Sequence, residues 1–352
     1  MDSNDFSTAG TSDGNSFAFR FDANDPFDRI PSFQSTPRWT NKMDHDISKV
    51  RSRSFGSNHS DREEKMTSYV VDIVNLLAEH VLFHPLVVIR RQCQVTRASY
   101  RYHLTPFSVI PLMYRIRSNQ GSGALWKGLT SNLIVKGLYL SCQSFIAGVL
   151  GTDENLVCRG IAFIFASPFL CANSIEIVQS TIASETPGVF DCLKEGLARF
   201  THWNSTGTRL LPFWVLCIPT AGYYILHYQI SSCMIGICCA LGKTRTDSNS
   251  YRASISRLIG LFAADVILYP LDTVIQRLYL QGTRTIIDNI DTGNTVLPVI
   301  SAYEGVKECF QTIVKEETTL GLYKGFGALV LQFSLHFLLL NFTRSMCKKI
   351  LG

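Results

Sequence analysis

The sequence predicts an all-α membrane protein: six transmembrane helices in three repeated hairpins, preceded by a disordered polar N-terminal tail. Three observations carry this. Of 352 residues, 46% are hydrophobic and only 17% charged, which is more apolar than an ordinary soluble domain. Six apolar stretches, at 69–92, 129–150, 156–182, 210–241, 255–279 and 326–347, each approach the ~20 residues that a bilayer demands. A degenerate motif also recurs three times, as Phe83-His84-Pro85-Leu86, Ala166-Ser167-Pro168-Phe169 and Leu268-Tyr269-Pro270-Leu271. Each copy ends an apolar run at a proline, and the prolines fall roughly 80–100 residues apart, the length of a helix-hairpin-helix unit.

Residues 1–65 form the tail. They carry 9 Lys/Arg against 11 Asp/Glu with few aliphatics, too little apolar surface to offset the entropy of ordering. The tail lacks the Arg-rich, acid-poor pattern of a transit peptide and the basic start and apolar core of a signal peptide. Mean hydropathy of +0.12 is low for a helix bundle because this segment dilutes it. The rest holds 24 basic and 17 acidic residues, a net of +7. Two readings of that excess stay open: contact with anionic headgroups, or a solvated rim.

The spans pair into units at 66–150, 151–249 and 250–352. Within each unit a long hydrophilic connection joins two helices, at 94–125, 183–209 and 280–324; between units, near 151–155 and 242–254, the connections are short. The first long loop is basic, with Arg97, Arg101, Arg115 and Arg117 and no acid, whereas the third is net acidic, so loop charge does not fix orientation. Pro212 and Pro219 mark an irregular entry to the fourth span. Lys136, Glu176, His227, Asp265 and Asp272 lie inside apolar runs and are expected to face the bundle interior, because lipid exposure of each is costly. Most of the eleven cysteines sit in apolar runs without a C-x-x-C pair, and read as small buried hydrophobes. No clustered ligand set points to a metal site, and no nucleophile elbow or phosphate loop points to an enzyme or a nucleic-acid binder.

The proline repeats, the hairpin length and the triplets Trp126-Lys127-Gly128 and Tyr323-Lys324-Gly325 together resemble the mitochondrial carrier family, solute carrier family 25, over about residues 66–352. More narrowly, Arg90-Arg91-Gln92-Cys93-Gln94-Val95, Tyr102-His103-Leu104-Thr105-Pro106-Phe107 and the stretch Gln281 to Asn289 resemble a divergent branch of that family in the mitochondrial outer membrane. The resemblance implies a carrier fold kinked at Pro85, Pro168 and Pro270. It also implies a gate motif, Pro-x-acid-x-x-base, on each odd helix, whose charges pair between repeats and open and close one end of a cavity. Here the first repeat keeps the base Arg90 but has Val87 for the acid. The second has Leu170 and Asn173, and the third keeps Asp272 but has Ile275 for the base. By family logic the expected surviving bridge is Arg90–Asp272.

The opposite gate, aromatic-acid-x-x-base, is not recognisable in the even helices. Two substrate contact positions carry Val135 and Gln332, so the best polar candidates at cavity height are Lys136, Glu176, His227, Gln332 and His336. The triplets imply a bound cardiolipin or other anionic phospholipid, with headgroup contact at Trp126, Lys127, Gly128, Tyr323, Lys324 and Gly325, and no other cofactor; a plain interfacial anchor is the alternative. The expected partners are membrane lipids and, by resemblance, fusion, fission and cristae-organising proteins. The implied role is mitochondrial dynamics and lipid homeostasis from the outer membrane. The competing expectation is an inner-membrane carrier of a neutral or lipid-like solute.

Overall fold

The computed structural model describes residues 59–97, 99–151, 156–180, 188, 190–201, 211–241, 249–283, 285–292, 295–299 and 301–351. Most of the tail, and most of the expected connections at 151–155, 183–209 and 242–254, lie outside these residues.

The first helix, α1, covers His59–Leu77, so it already includes residues 59–65 of the expected tail. It passes into a π turn at Ala78–Leu82 and, after Phe83, into α2, His84–Val95. Together the two halves make a span bent by 41°. The cause is Pro85 near the start of α2: it has no N–H to give and its ring crowds the preceding turn. The chain instead widens there, with the Phe83 amide donating to Ala78 O at 3.1 Å. The other two repeat prolines leave their helices unbroken. Pro168 lies inside α5, Leu156–Val178, and the Ile164 carbonyl, which loses its amide partner to the proline, accepts the Ser167 hydroxyl at 3.0 Å. Pro270 lies inside α8, Asn249–Leu280.

The even spans are α4, Leu129–Leu150; α7, Phe213–Leu241; and α10, Phe326–Leu351. With the bent pair, six segments are long and apolar enough to cross a membrane. About half of the apolar window is buried in α5 (56%) and α8 (50%), against 11% in α4 and 6% in α7. The odd helices therefore line the interior, and α4 and α7 present their side chains to lipid. Bundle cohesion comes from close packing and interhelical hydrogen bonds, since lipid is as apolar as leucine. Gly260 lets α8 approach α7, where an added Cβ would sit 2.8 Å from the Ser231 carbonyl.

The expected hydrophilic connections hold short amphipathic helices: α3, Pro106–Gln120; α6, Asp191–Thr201; and α9, Val306–Glu317. Hydropathy alone missed them because each buries a narrow stripe; in α3 it is Val109, Leu112 and Ile116, packed under Phe83, Ile89 and Ala328. The third connection also forms a two-stranded antiparallel hairpin, β1 (Ile286–Asp288) with β2 (Val296–Pro298), Ile287 opposite Leu297. Repeats one and three share a local design. A 3-10 turn, Ser122–Trp126 or Thr319–Tyr323, leads to a lysine with ψ near 130° and a left-handed glycine, Gly128 (φ 66°) or Gly325 (φ 78°).

Candidate functional site

Charged side chains in the bundle lie in tiers along α8, where Arg257, Asp265, Asp272 and Arg277 are separated by about 1.5 Å of rise per residue. Each tier meets a different part of the first span.

The middle tiers correct the expected bridge. Asp272 does not pair with Arg90. Its carboxylate accepts two hydrogen bonds from Arg91 Nη1, at 2.6 and 2.7 Å, and one from Gln94 Nε2 at 3.0 Å. Arg90 lies 3.5 Å from Asp265, whose other oxygen faces His227 Nε2 at 2.9 Å. One residue on a helix is about 100° of rotation, so the two neighbouring arginines of α2 present different faces. Asp265 and Asp272 are seven residues apart, two turns, and so share the face that receives both arginines. His227 thus serves an ion-pair tier rather than an open cavity wall.

The end tier is a closing loop supplied by the third repeat. Gln281 exchanges two hydrogen bonds with the Tyr303 backbone at 2.8 and 2.9 Å, gathering the ends of the loop. The free edge of β1 is capped by the end of α5: Gln179 bridges Ile287, and the Ser180 amide donates to Ile286 O at 2.8 Å. Asp288 then takes Lys127 Nζ at 2.8 Å and the Ser180 hydroxyl at 2.5 Å. Asp291 follows, accepting Arg115 on its carbonyl at 2.5 Å and the Tyr100 amide on its carboxylate at 2.9 Å. One loop therefore holds all three repeats. Beneath it Arg277 makes a two-pronged contact with Glu317, 2.8 Å on each oxygen, and Lys324 joins the same carboxylate at 2.9 Å.

These contacts overturn the headgroup role expected of the triplet lysines. Lys127 is 8% exposed and Lys324 1%; both ammoniums turn inward, toward Asp288 and Glu317. Lys324 also donates to the Thr96 and Arg97 carbonyls at 2.9 and 3.1 Å, and the Gly325 amide is occupied by Tyr102 O at 2.9 Å. The glycines serve packing: a Cβ on Gly325 would fall 2.7 Å from Cys93 Cβ, and one on Gly128 2.6 Å from Ile177 Cγ1. Trp126 is 40% exposed and faces outward. The Tyr323 ring instead stacks on Tyr269 at 5.8 Å.

Of the residues expected at cavity height, two come together. Lys136 contacts His80 Nδ1 at 2.8 Å beside Glu79, which faces Arg257 at 3.8 Å; His336 contacts Asn75 at 3.0 Å and also neighbours Glu79. Gln332 Oε1 is buried with no hydrogen-bond partner among the described residues. Glu176 belongs elsewhere, bound by the Ser131 hydroxyl and close to Cys192.

Outside the spans, Arg97 makes a paired contact with Glu316 at 2.7 and 2.5 Å. These hydrogen bonds hold the Glu316 carboxyl below its usual range and raise Arg97 in turn. A carboxylate depressed in the folded state contributes stability above its ordinary pKa and loses it as pH falls; both groups are more than a third exposed, so the contribution is small.

Replacing Asp288 with alanine is expected to leave Lys127 buried without its counter-charge and to free the loop. The checks are a lower melting temperature in detergent and new proteolytic cuts within 281–304. Asp288→Asn, which keeps the Ser180 contact, is expected to be milder.

Sequence reading placed Asp265 in the bundle interior without naming its partner, and gave no role to Arg91, Asp288 or Glu317. The pair Arg90-Arg91 and the seven-residue spacing of Asp265 and Asp272 were available signals for the pairing of Asp265 and for Arg91. No pattern marks Asp288 or Glu317, which act across long sequence separations.

Comparison with known proteins agrees with this architecture. Residues 66–150 and 247–352 match the family model described as mitochondrial carrier protein. The chain is 40% identical over 319 residues to the mitochondrial outer membrane protein SLC25A46 of Gallus gallus, covering 82% of this chain and 78% of that one. It is 39% identical to solute carrier family 25 member 46 of Xenopus tropicalis (83% and 77% covered) and 39% identical to the Homo sapiens mitochondrial outer membrane protein SLC25A46 (81% and 75%).

Proposed function

Since the chain belongs to the mitochondrial carrier family, we propose that it acts as an adaptor in mitochondrial fission, fusion and cristae organisation and in lipid homeostasis, and not as a metabolite exchanger. It is a multi-pass protein of the mitochondrial outer membrane. The observation that carries the non-exchange reading is the closing loop. Alternating access requires the odd-helix ends to part. Here parting breaks Lys127–Asp288, Arg91–Asp272 and the bonds from Lys324 and Arg277 to the Thr96, Arg97 and Gln94 carbonyls together. Hydrogen bonds to charged groups contribute about 1.5–3 kcal/mol each, so the sum is on the order of 10 kcal/mol. A solute held at millimolar affinity returns about 4 kcal/mol. An exchanger offsets the difference with a second charge network at the other end, where this chain offers Tyr228-Gln229 and Asn341-Phe342. Stacked rings of Tyr139, Phe163 and Tyr224, 4.1 Å between successive centroids, add a barrier from α4 across α5 to α7. With the cycle lost, what remains to act on partners is the tail, the loops and the lipid-facing surface.

The test is counter-exchange by the purified full chain in liposomes loaded with a panel of carboxylates, nucleotides, amino acids and phosphate. Uptake no faster than in protein-free liposomes is expected; robust exchange of any member would sink the reading.

The gathering of Lys136, Glu79, Arg257 and His336 favours a second reading, an atypical carrier for a small polar or lipid-like solute. Under it, Lys136→Ala and His336→Ala each abolish uptake of that solute at unchanged protein abundance. Under the adaptor reading the same variants leave mitochondrial morphology unaltered.

A further inference from the structure

We propose that a cavity under the third-repeat hairpin binds a monocarboxylate with a short branched apolar tail, the chemistry that a chain ending in leucine presents. The cavity measures about 280 Å³. Val95 and Leu280, the last residues of α2 and α8, form one wall. Ile287 and Leu297, opposite each other in the hairpin, form the other. The cavity opens outside the spans, beside Arg97 and Pro298, which are both exposed. A ligand seated there touches the helix ends and the hairpin at once, and the site stands whether or not the chain exchanges solutes.

Hydrogen bonding, charge and size choose the ligand. Ser301 lines the cavity, and its hydroxyl oxygen is buried with no hydrogen-bond partner among the described residues. A buried polar group left unpaired is costly, so a ligand oxygen is favoured there. None of the ten described residues that line the cavity is acidic, and two are arginines, Arg97 and Arg277. Together with Lys324 they face two carboxylates, Glu316 and Glu317. This cluster therefore carries one positive charge in excess, the complement of a monoanion. Arg97 gives Nε and Nη2 to Glu316, which leaves Nη1 for the ligand. The apolar walls take the tail, as in binding sites where a few polar groups fix orientation. At about 30 Å³ per water-sized atom, there is room for about nine non-hydrogen atoms, the size of one leucine with its terminal carboxylate. A long acyl chain does not fit.

The test uses the full chain in detergent and a glycine-serine peptide ending in leucine, labelled with fluorescein at its N-terminus and followed by anisotropy. The peptide with a free terminal carboxylate is expected to bind about tenfold tighter than the same peptide amidated at that end. Ser301→Ala is expected to weaken binding about tenfold and to leave the melting temperature of the unliganded protein unchanged, since its hydroxyl has no protein partner to lose. Bound peptide is also expected to slow proteolysis within 281–304. Isocaproate, which is leucine without its amino group, separates the two sources of such a carboxylate. Displacement of the peptide only at a large excess of isocaproate assigns the site to a chain end, and displacement at equal concentration assigns it to a free acid. Equal binding of the carboxylate and amide peptides, or of parent and Ser301→Ala, would overturn the proposal. So would the lack of saturable binding of either ligand below about 1 mM.

Discussion

Glu317→Ala is expected to give the largest single loss of stability in the molecule. The carboxylate neutralises two cations at once, Arg277 and Lys324, and all three side chains are no more than 6% exposed. Removing one partner of a buried ion pair costs about 3–5 kcal/mol because the other charge is left without compensation; here two charges are stranded, so a loss at or above the top of that range is expected. Thermal unfolding in detergent and steady-state abundance in mitochondria read it directly. Glu317→Gln keeps the shape and one acceptor oxygen while removing the charge, and is expected to recover part of the loss. A Glu317→Ala protein that melts like the parent would show that these cations are solvated in the native state, and the closed end would need another explanation.

Second in size is the pair that replaces the expected bridge. Arg91→Ala and Asp272→Ala are each expected to destabilise by about 3–5 kcal/mol. The double variant is expected to lose clearly less than the sum, since the two residues share one contact. Arg90→Ala combined with Asp272→Ala is the control. Arg90 faces Asp265 at 3.5 Å, and Asp265 retains His227, so those two changes are expected to add. Coupling between Arg90 and Asp272 equal to that between Arg91 and Asp272 would restore the bridge expected from the repeat motif. Such cycles separate two arginines that sit side by side in sequence and differ only in the face they present.

The candidate site was legible in the sequence to different depths. Pro85, Pro168 and Pro270 announce three related units, yet only Pro85 breaks its helix; the hydroxyl of Ser167 replaces a lost backbone bond beside Pro168. The triplets are visible as motifs, and their lysines read naturally as lipid contacts until Asp288 and Glu317 are seen to hold them. Lys136 and His336, far apart in the chain, do meet around Glu79, whereas Glu176 and His227 serve separate contacts.

The sequence by itself determined the number and approximate extent of the spans, because crossing a bilayer demands about twenty apolar residues in succession and that is a local property of the chain. It determined the membership of the carrier family for the same reason, through residues that carry their meaning locally. Only the tertiary structure decided which charges pair. Across the contact of α2 with α8 it is Arg91, rather than Arg90, that reaches Asp272, and a loop more than 150 residues away brings Asp288 to Lys127. Pairing in a medium of low dielectric depends on ångström distances between helix faces, and no pattern along the chain encodes those.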